Sequence, residues 1–180
     1  LKLWEDHLSG HQSVGLVAID ENNNCVWGAI DVDEYHIDLK DLAIKIAKQK
    51  LPLILCRSKS GGAHLYIFLA EPVTATLLQR KLRQISAAIG YGQTEIFPKQ
   101  TQLLLDRGDR GSTLNMPYFG GENSTRYAYG KDGSAMTPQE FLSYAKELEL
   151  SSSALERLEA SPLNETLEWL DQAPPCLQHL

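Results

Sequence analysis

Asp31 and Asp33 are carboxylates separated by one residue at the end of an apolar run, Cys25 to Val32. On a β-strand, residues two apart share a face with Cα atoms roughly 6.5–7 Å apart. Val32 between them then faces the core, and both carboxylates can reach a pair of divalent cations spaced roughly 3.5–4 Å apart. One helix and one strand further on stands Ser60-Gly61-Gly62-Ala63-His64, which opens a second apolar run. Its two glycines let backbone N–H groups approach a polyphosphate closely, and the imidazole can donate a hydrogen bond to it. Arg57, Lys59 and Ser60 gather cationic and hydroxyl donors around the same glycines. Hard carboxylate ligands with no nearby cysteine or paired histidine favour Mg²⁺ or Mn²⁺ over zinc. The chemistry suggested is nucleotidyl transfer.

Glu95 is a third acid, on a strand-like segment with Ile96 and Phe97 following. An acid in such a setting needs a partner or a metal. Lys99, Arg107 and Arg110 add charge that can neutralise a triphosphate or a template. Each reading has a plainer alternative. Paired acids at a strand end are often solvated turn residues, and a glycine turn before a strand histidine is often a hairpin followed by a satisfied core imidazole. Glu95 can be a surface residue on a half-buried strand. Asp106 and Asp109 can make local salt bridges with the neighbouring arginines. His7, His11, His36 and His179 have no ligand spacing and receive no role, and Tyr35 is either a nucleotide-sugar contact or a packing residue.

The elements that position these residues follow from periodicity and turn chemistry. Residues 14–19 and 25–32 are Val-, Ile- and Trp-rich and flank Asp20-Glu21-Asn22-Asn23-Asn24, which predicts a β-hairpin with a longer loop. Asp38 precedes a 3/4-spaced apolar stripe ending before Pro52, a helix of about three turns. Leu53 to Cys56 predicts a buried strand, and Ala63 to Leu69 another, ended by Glu71-Pro72. Thr74 caps a second helix stopped by Gly90. Thr94 to Phe97 predicts a strand, 106–113 a mobile charged loop, and Leu114 to Phe119 with Arg126 to Tyr129 two short strands around Gly120-Gly121. Thr137-Pro138-Gln139-Glu140 starts a helix running to about Leu150. Ser151-Ser152-Ser153 loosens the chain before weak helical pieces at 154–159 and 164–171. The order is an α+β pattern. It sets the Asp31/Asp33 strand end, the loop before His64 and the strand of Glu95 on one rim of one sheet.

At 180 residues the chain can bury one α+β core with a small helical appendix. We assign 1–150 to a catalytic domain and 151–180 to a helical linker or the start of a further helical module. The net charge of −6 argues against a generic nucleic-acid coat, but its distribution is uneven. Residues 57–110 carry eight basic side chains against four acidic, and residues 132–180 two basic against nine acidic. A polyanion therefore meets the middle of the chain. Arg80, Lys81 and Arg83 either join that surface or solvate a helix face. Cys25, Cys56 and Cys176 lack CxxC spacing, which argues against a zinc knuckle or a disulfide framework. Two of them read as buried apolar residues, and Cys176 is open. No membrane span or signal peptide is visible, so the expected setting is cytoplasmic, in host cytoplasm if viral, as part of something longer.

Together, Asp31-x-Asp33, Ser60-Gly61-Gly62-x-His64 followed by Leu65-Tyr66-Ile67-Phe68, and Glu95-Ile96-Phe97-Pro98-Lys99-Gln100 resemble the three motifs of the archaeo-eukaryotic primase superfamily. The likeness is greatest to primase-polymerase domains of phage and plasmid replication proteins. Leu114-Asn115-Met116-Pro117-Tyr118-Phe119 is similar to a stretch following the third motif in phage-type members, and the resemblance covers roughly residues 12–148. It implies a two-subdomain catalytic core with a modified RNA-recognition-motif-like sheet. The implied activity is copying of a single-stranded DNA template from NTPs or dNTPs, onto a primer strand or de novo, by two-metal nucleotidyl transfer in DNA replication. A helicase domain or partner is a further expectation.

Carried over residue by residue, Asp31, Asp33 and Glu95 are implied metal ligands, and Ser60 and His64 implied triphosphate-binding residues. Glu95 stands where many relatives have aspartate. Pro174-Pro175-Cys176-Leu177 resembles the opening of the helical module that follows the core in phage-type primases. Two other classes compete with this reading. One is a non-catalytic DNA- or nucleotide-binding module on the same fold. The other is a DxD metal-dependent glycosyltransferase, which gives no reason for the SGGxH loop or the basic middle segment.

Overall fold

The computed structural model describes residues 2–34 and 36–160. Tyr35, the expected helix at 164–171, Pro174-Pro175, Cys176 and His179 lie outside the described residues. The elements in chain order are α1 (Lys2–Leu8), β1 (Gly15–Val17), β2 (Asn24–Val32), α2 (Leu39–Lys48), β3 (Ile54–Arg57), β4 (Ala63–Thr74), α3 (Ala75–Ala88), β5 (Glu95–Phe97), β6 (Thr113–Asn115), α4 (Pro138–Glu147) and α5 (Ser152–Arg157).

The helices begin where the side chains dictate. The Asp38 carboxylate accepts the Asp41 N–H at 3.0 Å, and the Thr74 hydroxyl oxygen accepts the Leu77 N–H at 3.3 Å. These contacts satisfy amide donors that have no partner within the first turn. At α4, Thr137 and Glu140 satisfy each other's backbone N–H in a capping box, with Pro138 in the first turn. The apolar stripes of α2 and α3 bury Leu42, Ile46, Leu78, Leu82 and Ile85 against one face of a four-stranded antiparallel sheet of order β3-β4-β2-β5.

Alternation along β2 and β4 divides the core in two. Ile30, Val32, Leu65 and Ile67 point to the helices, whereas Ala29, Tyr66, Ile54 and Phe97 point to the other face, where Leu114, Tyr118, Ala128 and Phe141 cover them. Val32 is fully buried, as its place between the two aspartates requires.

The expected hairpin between 14–19 and 25–32 does not form. Its turn chemistry does: the Asp20 carboxylate accepts the N–H groups of Asn22 and Asn24, and Asn23 takes φ 61°. Both edges of β2 are taken by β4 and β5, however, so β1 pairs instead with β6. The strand predicted to stop at Glu71-Pro72 runs on to Thr74. Its register against β2 shifts between the Trp27–Phe68 and Cys25–Val73 pairs, and Pro72 falls in that irregular stretch, where a ladder donor is not needed. Leu114 to Phe119 and Arg126 to Tyr129 are not paired strands. They share one backbone–backbone bond, Tyr118 N–H to the Arg126 carbonyl at 2.8 Å, and one from the Ala128 N–H to the Tyr118 hydroxyl, and the second segment instead lies along β3 through Arg57–Tyr127 and Tyr129–Leu55 bonds.

The segment 106–113 contains a 3₁₀ turn at Leu105–Arg107, and Asp109 accepts the Leu104 N–H rather than pairing with a neighbouring arginine among the described contacts. Helix α4 ends at Glu147, and Leu150 bridges to Leu69 beyond the reach of β3. The serines after it start a helix instead of loosening the chain. Ser151 caps α5, the Ser152 N–H donates to Glu71, and Lys81 donates to the carbonyls of Glu156 and Leu158. Leu155 of α5 is fully buried.

Cys25 and Cys56 are buried free thiols, as expected. Burial, with Asp20 nearby, pushes the Cys25 thiol up to about 12, and burial pushes that of Cys56 further. His7, given no role from sequence, is a satisfied core residue. It accepts the Val14 N–H at Nδ1 and donates from Nε2 to the Pro117 carbonyl at 2.8 Å. No helix among the described residues is long and apolar enough to cross a membrane.

Candidate active site

The ladder registers set four residues in one row across the sheet: Cys56 opposite His64, His64 opposite Asp31, and Asp31 opposite Glu95. Directly paired residues in antiparallel strands have Cα atoms about 4.5–5.5 Å apart and side chains on the same face. The row therefore brings together residues 31, 64 and 95 of the chain on the face away from α2 and α3. Asp33 follows just beyond the end of β2, exposed. A cleft of about 480 Å³ opens over this row. It is lined by Asp31, Asp33, His64 and Glu95, by Ser58, Lys59, Ser60 and Lys99, and by Phe97 and the β6 residues Thr113, Leu114 and Asn115. The expectation of one shared rim is met.

Within the row, His64 Nε2 lies 3.3 Å from Asp31 Oδ1, with the His64 and Asp31 side chains only 10% and 13% exposed. Asp31 Oδ1 is buried and has no hydrogen-bond partner among the described residues, so the contact is close without being an aligned bond. A buried carboxylate oxygen left in that state is costly unless something positive fills the space beside it. Glu95, by contrast, is more than half exposed and held by Lys99 at 2.5 Å, and the Lys99 ammonium also stands 5.0 Å from the Phe97 ring centroid.

These donors suit a hard divalent cation in type: carboxylate oxygens, one of them orphaned, with no thiolate at the cleft. Their arrangement is incomplete, since no group of three His, Cys, Asp or Glu side chains among the described residues is drawn together closely enough to hold a metal ion.

The glycines of the loop act differently from the expectation. Gly61 takes φ +100°, which glycine adopts without strain, and its N–H is spent within the turn on the Ser58 carbonyl at 3.3 Å. At Gly62 an added Cβ would sit 2.2 Å from the Val32 carbonyl oxygen. The pair thus lets the loop press against the strand end that carries the aspartates. Arg57 does not line the cleft. Its guanidinium donates to the Thr125 carbonyl at 3.3 Å, so of the expected phosphate-binding side chains Lys59, Ser60, His64 and Lys99 face the cleft.

Sequence reasoning missed Ser58, 3% exposed and 3.0 Å from Ser60 through their hydroxyls, and it missed the β6 wall. The Ser58 hydroxyl lies in the same donor-rich Arg57–Ser60 segment and was legible there. The β6 wall depends on a long-range pairing that no local pattern announces. A larger cleft of about 690 Å³ lies between α2 and the end of α3, but two of its acids are already engaged, Asp38 in capping α2 and Asp41 in an ion pair with Lys45.

A family model described as "TOTE conflict system, Archaeo-Eukaryotic Primase domain" matches residues 2–151. The match supports the superfamily inferred from the motifs, while its description names a conflict system where the motifs suggested phage and plasmid replication proteins. No curated protein matches the chain.

Proposed function

Because the chain belongs to the archaeo-eukaryotic primase domain family of TOTE conflict systems, we propose that it is a DNA-templated nucleotidyltransferase, acting as primase, DNA polymerase or both. The single observation that carries this reading is the row His64–Asp31–Glu95 with an orphaned carboxylate oxygen at its centre, on the floor of a cleft rimmed by Lys59, Ser60 and Lys99. Asp31, Asp33 and Glu95 would hold Mg²⁺ or Mn²⁺ there once Lys99 leaves Glu95. The chemistry that two such ions supply when bound is activation of the attacking 3′-hydroxyl and neutralisation of the leaving pyrophosphate.

The side chains do the rest. His64, Ser60 and Lys59 hold the triphosphate, and Lys99 exchanges its bond to Glu95 for one to phosphate, which frees the third acid as the nucleotide arrives. Gly61 and Gly62 keep the loop against the end of β2, so the donors and the acids stay in register. The basic stretch 57–110 faces the single-stranded template and the primer strand. The catalytic unit runs past residue 150 to include α5, whose Leu155 is buried in the core.

A second reading, a primase-like module that binds nucleotide or DNA without catalysis, is favoured by the Glu95–Lys99 pair and by the lack of a three-acid cluster among the described residues. The glycosyltransferase alternative draws no support from the family match. Incubation with Mn²⁺, labelled nucleotides and a single-stranded template, with and without a primer, decides between the first two. Templated products are expected from the wild type and none from Asp31→Ala/Asp33→Ala, with unchanged circular dichroism. Nucleotide binding without products in every combination establishes the second reading, and full activity in the double variant overturns the first.

A further inference from the structure

We propose that Tyr66 is the positioning residue for His64: its phenol oxygen accepts Nδ1–H and so leaves Nε2 as the one ring nitrogen that serves the cleft. The Tyr66 hydroxyl has one proton and is 3.1 Å from the Asn115 carbonyl oxygen, which can only accept. That proton is therefore committed to Asn115. His64 Nδ1 lies 3.3 Å from the same phenol oxygen, and the remaining bond requires Nδ1 to be the donor.

The opposite assignment would put a proton on Nε2 to serve Asp31 and turn the phenol toward Nδ1. Nε2 is misaligned for that bond, since Asp31 Oδ1 has no hydrogen-bond partner among the described residues, and the Asn115 carbonyl would lose its donor. His7 shows the reverse arrangement by the same logic, with Nε2 donating to a carbonyl and Nδ1 accepting an amide.

Tyr66 is built to hold this geometry. The residue is 1% exposed, its ring stacks on Phe68 at an interplanar angle of 14°, and it leans on Trp27 with centroids 5.9 Å apart. Burial, reinforced by Cys56 and Asp31, raises its pKa well above the ordinary phenol value, so the single proton stays in place. Its hydroxyl also spans the two sheets, because Asn115 belongs to β6 and Tyr66 to β4. The orientation of His64 is thus tied to the β6 wall of the cleft.

The inference deepens the reading of His64 as a triphosphate-binding group and rests on it for its consequence: phosphate oxygens only accept, so His64 meets them as an imidazolium that keeps Nδ1–H on Tyr66 and donates from Nε2, whereas the first test needs no activity. The ¹⁵N spectrum of histidine-labelled free protein is recorded well above the ordinary histidine titration range, with His64 assigned by comparison with His64→Gln. The wild type is expected to show Nδ1 as the protonated, pyrrole-type nitrogen and Nε2 as pyridine-type. Tyr66→Phe is expected to lose that single state and to raise the nucleotide KM by about tenfold at most, the worth of one neutral hydrogen bond, with a smaller change in kcat. A protonated Nε2 in the wild type overturns the inference whether or not the variant folds, as does a His64 spectrum unchanged in Tyr66→Phe. Absence of nucleotide incorporation in the wild type, with the expected spectrum, refutes the functional reading and leaves the positioning role standing.

Discussion

Asp31 and Glu95 are paired directly across β2 and β5, yet one keeps a buried oxygen without a hydrogen-bond partner among the described residues while the other is held by Lys99. The two acids of one candidate centre are thus in different states. Lys99 acts as an internal cation on Glu95, and a divalent ion and Lys99 compete for the same carboxylate. Replacing Lys99 by methionine keeps the stem over Phe97 and removes the charge. Lys99→Met is expected to bind Mn²⁺ several-fold more tightly without nucleotide, and to bind nucleoside triphosphate several-fold more weakly, since a charged hydrogen bond is lost. Titration calorimetry reads both. Weaker Mn²⁺ binding in the variant contradicts the competition.

Gly62 tests whether the loop is shaped by packing. An added methyl at 2.2 Å from the Val32 carbonyl oxygen meets only backbone, that of Val32 and Asp33, and cannot be relieved by a rotamer change. Gly62→Ala is expected to destabilise the fold by about 1–3 kcal/mol, the usual cost of forced overpacking. Urea unfolding measures it, and an unchanged midpoint removes the argument for close approach at this position.

The motifs and the helix starts were legible in the chain because they depend on neighbours. Asp38, Thr74 and Thr137 cap the helices their spacing announced, and Val32 faces the core between two acids by alternation alone. Pairing was not legible where it depended on distant competition. The Asp20–Asn24 turn has the chemistry of a hairpin, but both edges of β2 are taken by β4 and β5, and β1 goes to β6. The same blindness hid Asn115 as a cleft wall and Tyr66 as its link to His64, since both relations cross between sheets. Arg57 looked like a phosphate ligand from its neighbours, but the pairing of β3 with 127–129 brings the Thr125 carbonyl within its reach.

Acid stability follows from the α4 capping box. The Glu140 carboxylate accepts the Thr137 N–H at 2.7 Å, which holds it below its ordinary value of 4.5. A carboxyl group depressed in the folded state stabilises the protein above its unfolded value, and that contribution disappears as pH falls through the folded value. Glu140→Gln retains an acceptor at the box but does not titrate. The Tm difference between wild type and variant at neutral pH is expected to close as pH falls below 4.5. A difference constant with pH in thermal unfolding contradicts this account of the box.

The most direct test of the candidate centre is the position of bound metal. Crystals soaked with Mn²⁺ and a nucleoside triphosphate are expected to show anomalous manganese density within coordination distance of Asp31, Asp33 and Glu95, with the triphosphate against Lys59, Ser60 and His64 and Lys99 moved off Glu95. Manganese bound elsewhere, with Lys99 still on Glu95 and the orphaned Asp31 oxygen still unfilled, contradicts the assignment of this row as the catalytic centre.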